Sequence, residues 1–184
     1  MSSTILKDAQ EFVTARNTYS KKGPAVYDGL FLKRMVMDEL EELRVAKNPT
    51  EKVDAILDIA YYTLTELCKV GGLTDGLDTL AFDDEKDEPY PHDFDYEQVY
   101  NFVSLLDFKW PWCANVLVYY CVHLLREIPA ATCWRRVHFA NMTKYRGNVR
   151  IVDGKVMKPD DFVPPDDDLT RILEGSRPLL GPDA

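Results

Sequence analysis

Residues 53–67, VDAILDIAYYTLTEL, constrain the fold of this chain more than any other stretch of its sequence. Apolar residues occupy most positions, so a helix over about residues 51–70 would be buried on nearly all sides. Together with the other helical stretches of the chain, such a helix favours an all-α bundle. Asp54 and Asp58 interrupt the apolar run four residues apart and therefore share one face of this helix.

These two aspartates need a partner, because burying a carboxylate is costly unless a cation or a metal ion compensates its charge. No lysine or arginine lies on the helix face that carries Asp54 and Asp58. Mg²⁺ is the simplest partner, since it binds carboxylate oxygens and keeps several water molecules for the phosphates of a substrate. Mn²⁺, which also accepts oxygen ligands, is the expected substitute. This face therefore predicts a metal site.

A second acidic stretch, DELEEL at residues 38–43, falls in a helix predicted over about residues 26–46. Helical spacing places three of its acidic residues on one face and Glu41 on another. A solvated helix face is the ordinary alternative. The short connection KNPTEK makes the two helices antiparallel neighbours, so that their acidic faces can meet. We interpret them as one metal site, with Asp38, Glu39, Glu42, Asp54 and Asp58 as ligands.

The rest of the chain reads as further helices and a small hairpin in one domain over residues 1–184. The additional helices are predicted at residues 3–19, 96–108, 112–128 and 130–145. An acidic, proline-bearing stretch at about 73–98 is predicted to be an exposed loop or insertion. Within the tail at about 148–184, Asp153-Gly154 predicts a β-hairpin with a type I′ turn, followed by an extended, turn-rich segment over 159–168.

Composition limits the partners and the compartment. The net charge of −9 argues against nucleic acid as a partner. The four cysteines show no CxxC pairing, which favours free thiols in a reducing compartment. Neither a secretory leader nor an apolar run of bilayer length is visible, so we expect a cytoplasmic protein without a membrane partner. The histidines His123 and His138 and the tryptophans Trp110, Trp112 and Trp134 are predicted to be core or interface residues.

Four motifs resemble those of a known superfamily. DELEEL resembles the EExxE motif of the MazG-like all-α nucleoside triphosphate pyrophosphohydrolases, with Asp38 at the first Glu position. VDAILDIAYY resembles the DALxDxxY helix of the phosphoribosyl-ATP pyrophosphohydrolase-like branch, VHFANMTK at 137–144 its VHxxNMxK element, and DGKVMKPDDFVPPD at 153–166 its DGKVxKxxxxxPPD tail. The motifs occur in order and cover about residues 5–72 and 130–175. Ala55 stands where the superfamily has the Glu of ExxD, which leaves Asp54 or Glu51 to replace it.

The resemblance implies a MazG-like four-helix core completed by dimerisation, with a homodimer or homotetramer as the assembly. The apolar third helix gives a second reason to expect a partner subunit. The implied reaction is Mg²⁺-dependent hydrolysis of a nucleoside triphosphate to the monophosphate and pyrophosphate, as in house-cleaning of the nucleotide pool, with dUTP or dCTP as leading substrates. Glu39, Glu42 and Asp58 would be the catalytic carboxylates.

The last helix and the hairpin supply candidates for binding the substrate phosphates. The resemblance implies this role for Asn141 and Lys144, and Arg146, Lys155 and Lys158 follow them in the chain. Surface solubility is the alternative for the last two lysines, and Arg135 and Arg136 are lesser candidates. Two other functions remain open: phosphoribosyl-ATP hydrolysis, and a catalytically silent helical module that docks through the acidic segment and the tryptophans.

Overall fold

The computed structural model describes residues 4–20, 23–70, 94–126 and 128–175, which are mostly helical with one small antiparallel hairpin. The helices are α1 (Thr4–Tyr19), α2 (Gly29–Val45), α3 (Pro49–Leu67), α4 (Tyr96–Ser104), α5 (Pro111–Leu125), α6 (Ala130–Thr143) and α7 (Asp166–Leu173), and the strands are β1 (Ile151–Val152) and β2 (Lys155–Val156). An all-α fold with a C-terminal hairpin is thus confirmed. None of the helices in this described part is long and apolar enough to cross a membrane.

Helix α3 is the central helix, and it is buried on nearly all sides as its sequence predicts. Asn48 caps it by accepting a hydrogen bond from the Glu51 backbone N–H at 2.9 Å, and Pro49 suits the first turn. It packs along α2 and α5 and is also contacted by α1, α6 and α7. Because these helices of the same chain bury its apolar residues, the apolarity of α3 does not require a partner subunit. That reason for expecting a dimer was wrong.

The start of α2 is fixed by the turn that follows α4. Asp28 caps the helix by accepting from the backbone N–H groups of Leu30 and Phe31 at 3.0 Å, so α2 begins later than residue 26. A Cβ atom on Gly29 would lie 2.0 Å from the carbonyl oxygen of Phe108. The Tyr27 hydroxyl donates to that same oxygen at 2.6 Å. Only glycine allows this close approach of two backbone segments.

The predicted hairpin is confirmed, and it lies against α2. Ile151 pairs with Val156, and the turn residues Asp153 and Gly154 have φ values of 47° and 86°, as a type I′ turn requires. Arg34 of α2 donates to the Asp153 carbonyl oxygen at 2.9 Å. The hairpin thereby places Lys155 beside the acidic face of α2 and α3.

The segment after the hairpin differs from the prediction. Residues 159–168 were expected to be extended and turn-rich, but α7 begins at Asp166. Aspartates in its first turn favour the helix because they face the positive end of the helix dipole. Leu169 and Ile172 are buried, and Thr170 exchanges a 2.9 Å hydrogen bond with Thr50 of α3. These tertiary contacts stabilise the short helix, and the local sequence pattern gives no sign of them.

Two other expectations need comment. Helix α4 ends at Ser104 rather than at 108, and the predicted acidic insertion at about 73–98 falls largely outside the described residues, with its last part forming the start of α4. All four cysteines lie in the described part of the chain and are free, as expected.

Candidate metal and phosphate site

Helices α2 and α3 bring the predicted carboxylates to one side of the protein. Glu39 is buried with 4% of its surface exposed, while Asp54 and Asp58 are partly buried. Asp38 and Glu42 are exposed at the edge of the same region. Glu41 lies on the other side of α2, where Arg44 donates to its carboxylate at 2.6 and 2.7 Å, as the helical spacing predicts.

The environment of Glu39 strongly disfavours its charged form. Burial, together with the negative charges of Asp58 and Glu42, raises the pKa of Glu39 to about 9, against the opposing effect of Lys155. Its Oε2 atom is fully buried and has no hydrogen-bond partner within the described residues. A buried oxygen of this kind normally has a hydrogen bond or a bound cation. Glu39 therefore lacks the partner that its position demands.

The two aspartates of α3 are in a similar environment. Burial raises the pKa of Asp54 well above its ordinary value, and the negative charges of Asp58 and Asp166 act in the same direction with a smaller effect. The Oδ1 atom of Asp54 is buried and, across the described ranges, also has no hydrogen-bond partner. Burial raises the pKa of Asp58 too, while the positive charges of Lys144 and Lys158 lower it. The carboxylates of both helices thus form one coupled group.

The group is not a closed cage of three protein ligands. One set of three His, Cys, Asp or Glu side chains in the described residues has ligand atoms all within 4.8 Å of one another, and it is Asp8, Glu11 and His138, away from α2. An open arrangement of oxygen donors nevertheless suits Mg²⁺, which typically takes one or two carboxylates and completes its coordination with water and substrate phosphates. The donor set of α2 and α3, made of oxygen alone, fits that ion.

Three lysines face these carboxylates. Lys144, at the end of α6, is 8% exposed and donates to the Asn141 Oδ1 atom. Burial lowers the pKa of Lys144, whereas Asp58 raises it. Lys155 comes from the hairpin with its Nζ atom 5.8 Å from the ring centre of Tyr62. The predicted phosphate-binding residues Asn141, Lys144 and Lys155 therefore lie together.

The Phe162 ring holds two of the cations in place. Lys144 Nζ is 5.5 Å and Lys158 Nζ is 4.9 Å from its ring centre, distances at which a cation is attracted to an aromatic face. Phe162 had no signal in the sequence, because it lies in a loop without helical or strand periodicity. Its position explains how the exposed Lys158 comes to act on Asp58 and Asp54.

Arginines that the sequence suggested are not part of this group. Arg146 is exposed and stacks on Phe139 at 5.6 Å. It lines a separate cavity of about 370 Å³ between α6 and the proline-rich segment before α7, together with Arg136. Arg136 lies 4.0 Å from Asp168, and Arg135 donates to the Thr132 hydroxyl at 2.8 Å. Arg146 lies apart from Lys144, Lys155 and Lys158, because α6 ends before residue 146 and the helical register is lost.

A cleft with aromatic walls extends from the carboxylates and lysines. Asp58, Asn141, Lys144 and Lys155 line one end of it. Its remaining lining includes Phe12, Phe31, Tyr61, Tyr62, Thr65, Glu66 and Lys69. Glu66 and Lys69 form a buried ion pair, and Glu66 also accepts from the Asp28 backbone N–H at 3.0 Å. The sequence analysis missed this pair, although its three-residue spacing at the end of an apolar helix is a usable signal.

Comparisons of this chain with protein-family models, with curated proteins and with solved structures found no match.

Proposed function

We propose that the protein catalyses Mg²⁺-dependent hydrolysis of a nucleoside triphosphate to the nucleoside monophosphate and pyrophosphate. The observation that carries this proposal is the pair of buried, unpartnered carboxylate oxygens of Glu39 and Asp54. They belong to a carboxylate group whose Asp58 lines a cleft together with Lys144 and Lys155. A carboxylate cluster that needs cations, next to cations that can bind phosphate, suits a metal-bound polyphosphate. The resemblance of the four motifs to the MazG-like superfamily supports the same reaction and a MazG-like core.

Each group of residues has a role in this reaction. Glu39, Glu42 and Asp58 would hold Mg²⁺, or Mn²⁺ in its place, with Asp38 and Asp54 in support. When bound, the ion neutralises charge on the phosphate oxygens and lowers the pKa of a coordinated water. A carboxylate of this group would orient the attacking water towards the α-phosphorus and accept its proton.

The lysines act on the phosphate chain. Lys144 would bind a phosphate oxygen, and Asn141 directs the ammonium group by accepting a hydrogen bond from it. Lys155 and Lys158 add positive charge from the C-terminal side of the site. The bond from the α-phosphorus to the bridging oxygen breaks, and pyrophosphate leaves with its charge compensated.

The cleft has a volume of about 30 Å³, so a nucleoside would bind at its mouth or after it opens. Phe31 and Tyr62 lie at its wall with ring centres 6.4 Å apart, and flat aromatic surfaces suit the face of a base. We favour dUTP or dCTP as the substrate, and phosphoribosyl-ATP is the second candidate. An interaction module without catalytic activity remains the alternative of a different class, and such a module requires no metal.

A nucleotide panel with pyrophosphate detection tests the proposal. Activity should appear with Mg²⁺ and disappear with a chelator. Asp58→Asn keeps the shape of the side chain and removes its charge, so the variant should fold. Its activity should fall by more than the about 10- to 100-fold that is typical when a residue behind the metal's ligands is changed. Glu41→Gln, on the opposite side of α2, should retain activity. Full turnover by Asp58→Asn would exclude Asp58 as a ligand.

Isotope labelling identifies the bond that breaks. In ¹⁸O-labelled water the label should enter the nucleoside monophosphate and not pyrophosphate, because water attacks the α-phosphorus. Label in orthophosphate, together with a diphosphate product, would show attack at the γ-phosphorus and overturn this mechanism.

The proposed assembly is a homodimer or homotetramer, in line with the superfamily resemblance. Trp112, Val116 and Tyr119 form an apolar stripe on α5 with exposed fractions of 57%, 40% and 45%. Trp134 is in the core as expected, whereas Trp110 is exposed beside this stripe. Light scattering at micromolar concentration should give at least twice the mass of one chain, and a monomer would contradict this part of the proposal.

A further inference from the structure

A second cluster of metal-ligand side chains lies between α1 and α6, and the proposed hydrolysis does not use it. Asp8, Glu11 and His138 offer ligand atoms that all lie within 4.8 Å of one another. The His138 Nε2 atom is 3.4 Å from Glu11 Oε2 and 3.9 Å from Asp8 Oδ1. Asp8 and Glu11 are three residues apart on α1, so both face the same side of that helix.

Buried aromatic residues orient two of the three side chains from behind. The Nδ1 atom of His138 lies 2.9 Å from the Tyr61 hydroxyl, which leaves Nε2 directed at the two carboxylates. Trp134 donates its indole N–H to Asp8 Oδ2 at 2.8 Å, which leaves Oδ1 directed at His138. Metal-binding histidines and carboxylates typically have such outer partners, because these fix the ring orientation and the ligating atom.

The spacing of the three side chains leaves room for a metal ion between them. A charge-assisted hydrogen bond from an imidazolium to a carboxylate is about 2.7–2.9 Å long. Both distances from His138 Nε2 are longer than that. Ligands at about 2.0–2.1 Å from a tetrahedral ion lie about 3.3–3.4 Å from one another. The 3.4 Å separation of His138 and Glu11, which is also within reach of a long hydrogen bond, is compatible with two ligands of one ion.

We propose that Asp8, Glu11 and His138 bind a divalent transition-metal ion of the Zn²⁺ type. One imidazole with two carboxylates suits such ions, whereas Mg²⁺ and Ca²⁺ take oxygen ligands. The Glu11 side chain is 62% exposed, so the ion enters from solvent and keeps an open position for water. The site links α1 to α6 and therefore joins the first helix of the protein to the segment that carries Asn141 and Lys144.

Co²⁺ binding to the metal-stripped, full-length protein tests the site without reference to catalysis. Co²⁺ replaces Zn²⁺ and gives visible absorption bands that report its ligands. We expect bands that are displaced by Zn²⁺ and disappear in His138→Gln. His123→Gln, which removes a solvent-exposed histidine of α5, is the matched control and should keep them. Tyr61→Phe should weaken binding by about 10- to 100-fold, because Nδ1 loses its partner.

Two further variants keep the test decisive. Glu11→Gln changes an exposed side chain, so it should fold and still bind Co²⁺ at least about tenfold more weakly, whereas Glu174→Gln should bind normally. Asp58→Asn should retain the bands, which separates this site from the carboxylates of α2 and α3. Absence of bands in the wild type, equal bands in His138→Gln, or bands lost instead in Cys68→Ser would overturn the assignment.

Discussion

Replacing Glu39 with glutamine should stabilise the metal-free protein at alkaline pH. Burial, reinforced by Asp58, raises the pKa of Glu39 from 4.5 to about 9. Between these values the folded protein keeps a proton on Glu39 that the unfolded chain has already lost. Because the unfolded state binds fewer protons, the free energy of unfolding falls as pH rises through this window. Glutamine has the same shape and does not ionise, so in the variant residue 39 should not contribute to the fall in the free energy of unfolding with pH.

The size of the effect follows from the pKa shift. Each pH unit inside the window costs about 1.4 kcal/mol, so Glu39 alone should remove about 3 kcal/mol from the wild type between about pH 6 and about pH 8. Over the same pH range, the free energy of unfolding of Glu39→Gln should fall by about 3 kcal/mol less than that of the wild type. Asp54 and Asp58, whose pKa values burial also raises, remain in the variant and leave it with a smaller slope.

Urea unfolding in a chelating buffer at a series of pH values measures both slopes. Glu42→Gln is the matched control, because Glu42 is on the same face of α2 and is exposed. Mg²⁺ added at about pH 8 should stabilise the wild type, since it binds the folded state, and should stabilise Glu39→Gln much less. Equal slopes in the wild type and Glu39→Gln would show that Glu39 ionises without cost. The argument that this carboxylate requires a cation would then fail.

Two further predictions concern the phosphate site and the entry to α2. Lys144→Ala should raise the Michaelis constant for the nucleotide by about ten- to over a hundredfold, the equivalent of about 1.5–3 kcal/mol for a charge-assisted contact. Arg146→Ala should leave the Michaelis constant unchanged. Steady-state kinetics of both variants test this, and equal effects would place the phosphate site elsewhere. Gly29→Ala should destabilise the fold by about 1–3 kcal/mol or more, because its Cβ would meet the Phe108 carbonyl oxygen at 2.0 Å, and a melting curve unchanged from the wild type would contradict this.

Features that rest on local periodicity were predictable from the sequence. The apolar run of α3 predicted that this helix is buried, and helical spacing separated Glu39 from Glu41 on α2. The dipeptide Asp153-Gly154 specified the hairpin, because its turn demands positive φ at both positions. In each case the deciding residues lie within a few positions of one another.

Features that depend on distant parts of the chain were not predictable in this way. His138 lies in an apolar stretch, yet its ring reaches Asp8 and Glu11 of α1. Phe162 orders two lysines from a loop that has no pattern of its own. Helix α7 starts among aspartates and prolines and rests on two buried residues, Leu169 and Ile172, which are too few to give a clear period.

The position of the site along the chain has a consequence for protein synthesis. A ribosome completes α2 and α3 well before it reaches Lys144, and Lys155 and Lys158 follow later still. Until α6 and the hairpin have been made and have docked, the lysines that offset Asp58 are missing, so burial of α3 is less favourable in the nascent chain than in the finished protein. Cellular Mg²⁺ or hydration has to stabilise these carboxylates during that interval. In a chain released before residue 144, the acidic helices would therefore stay less well packed and accessible to chaperones and proteases.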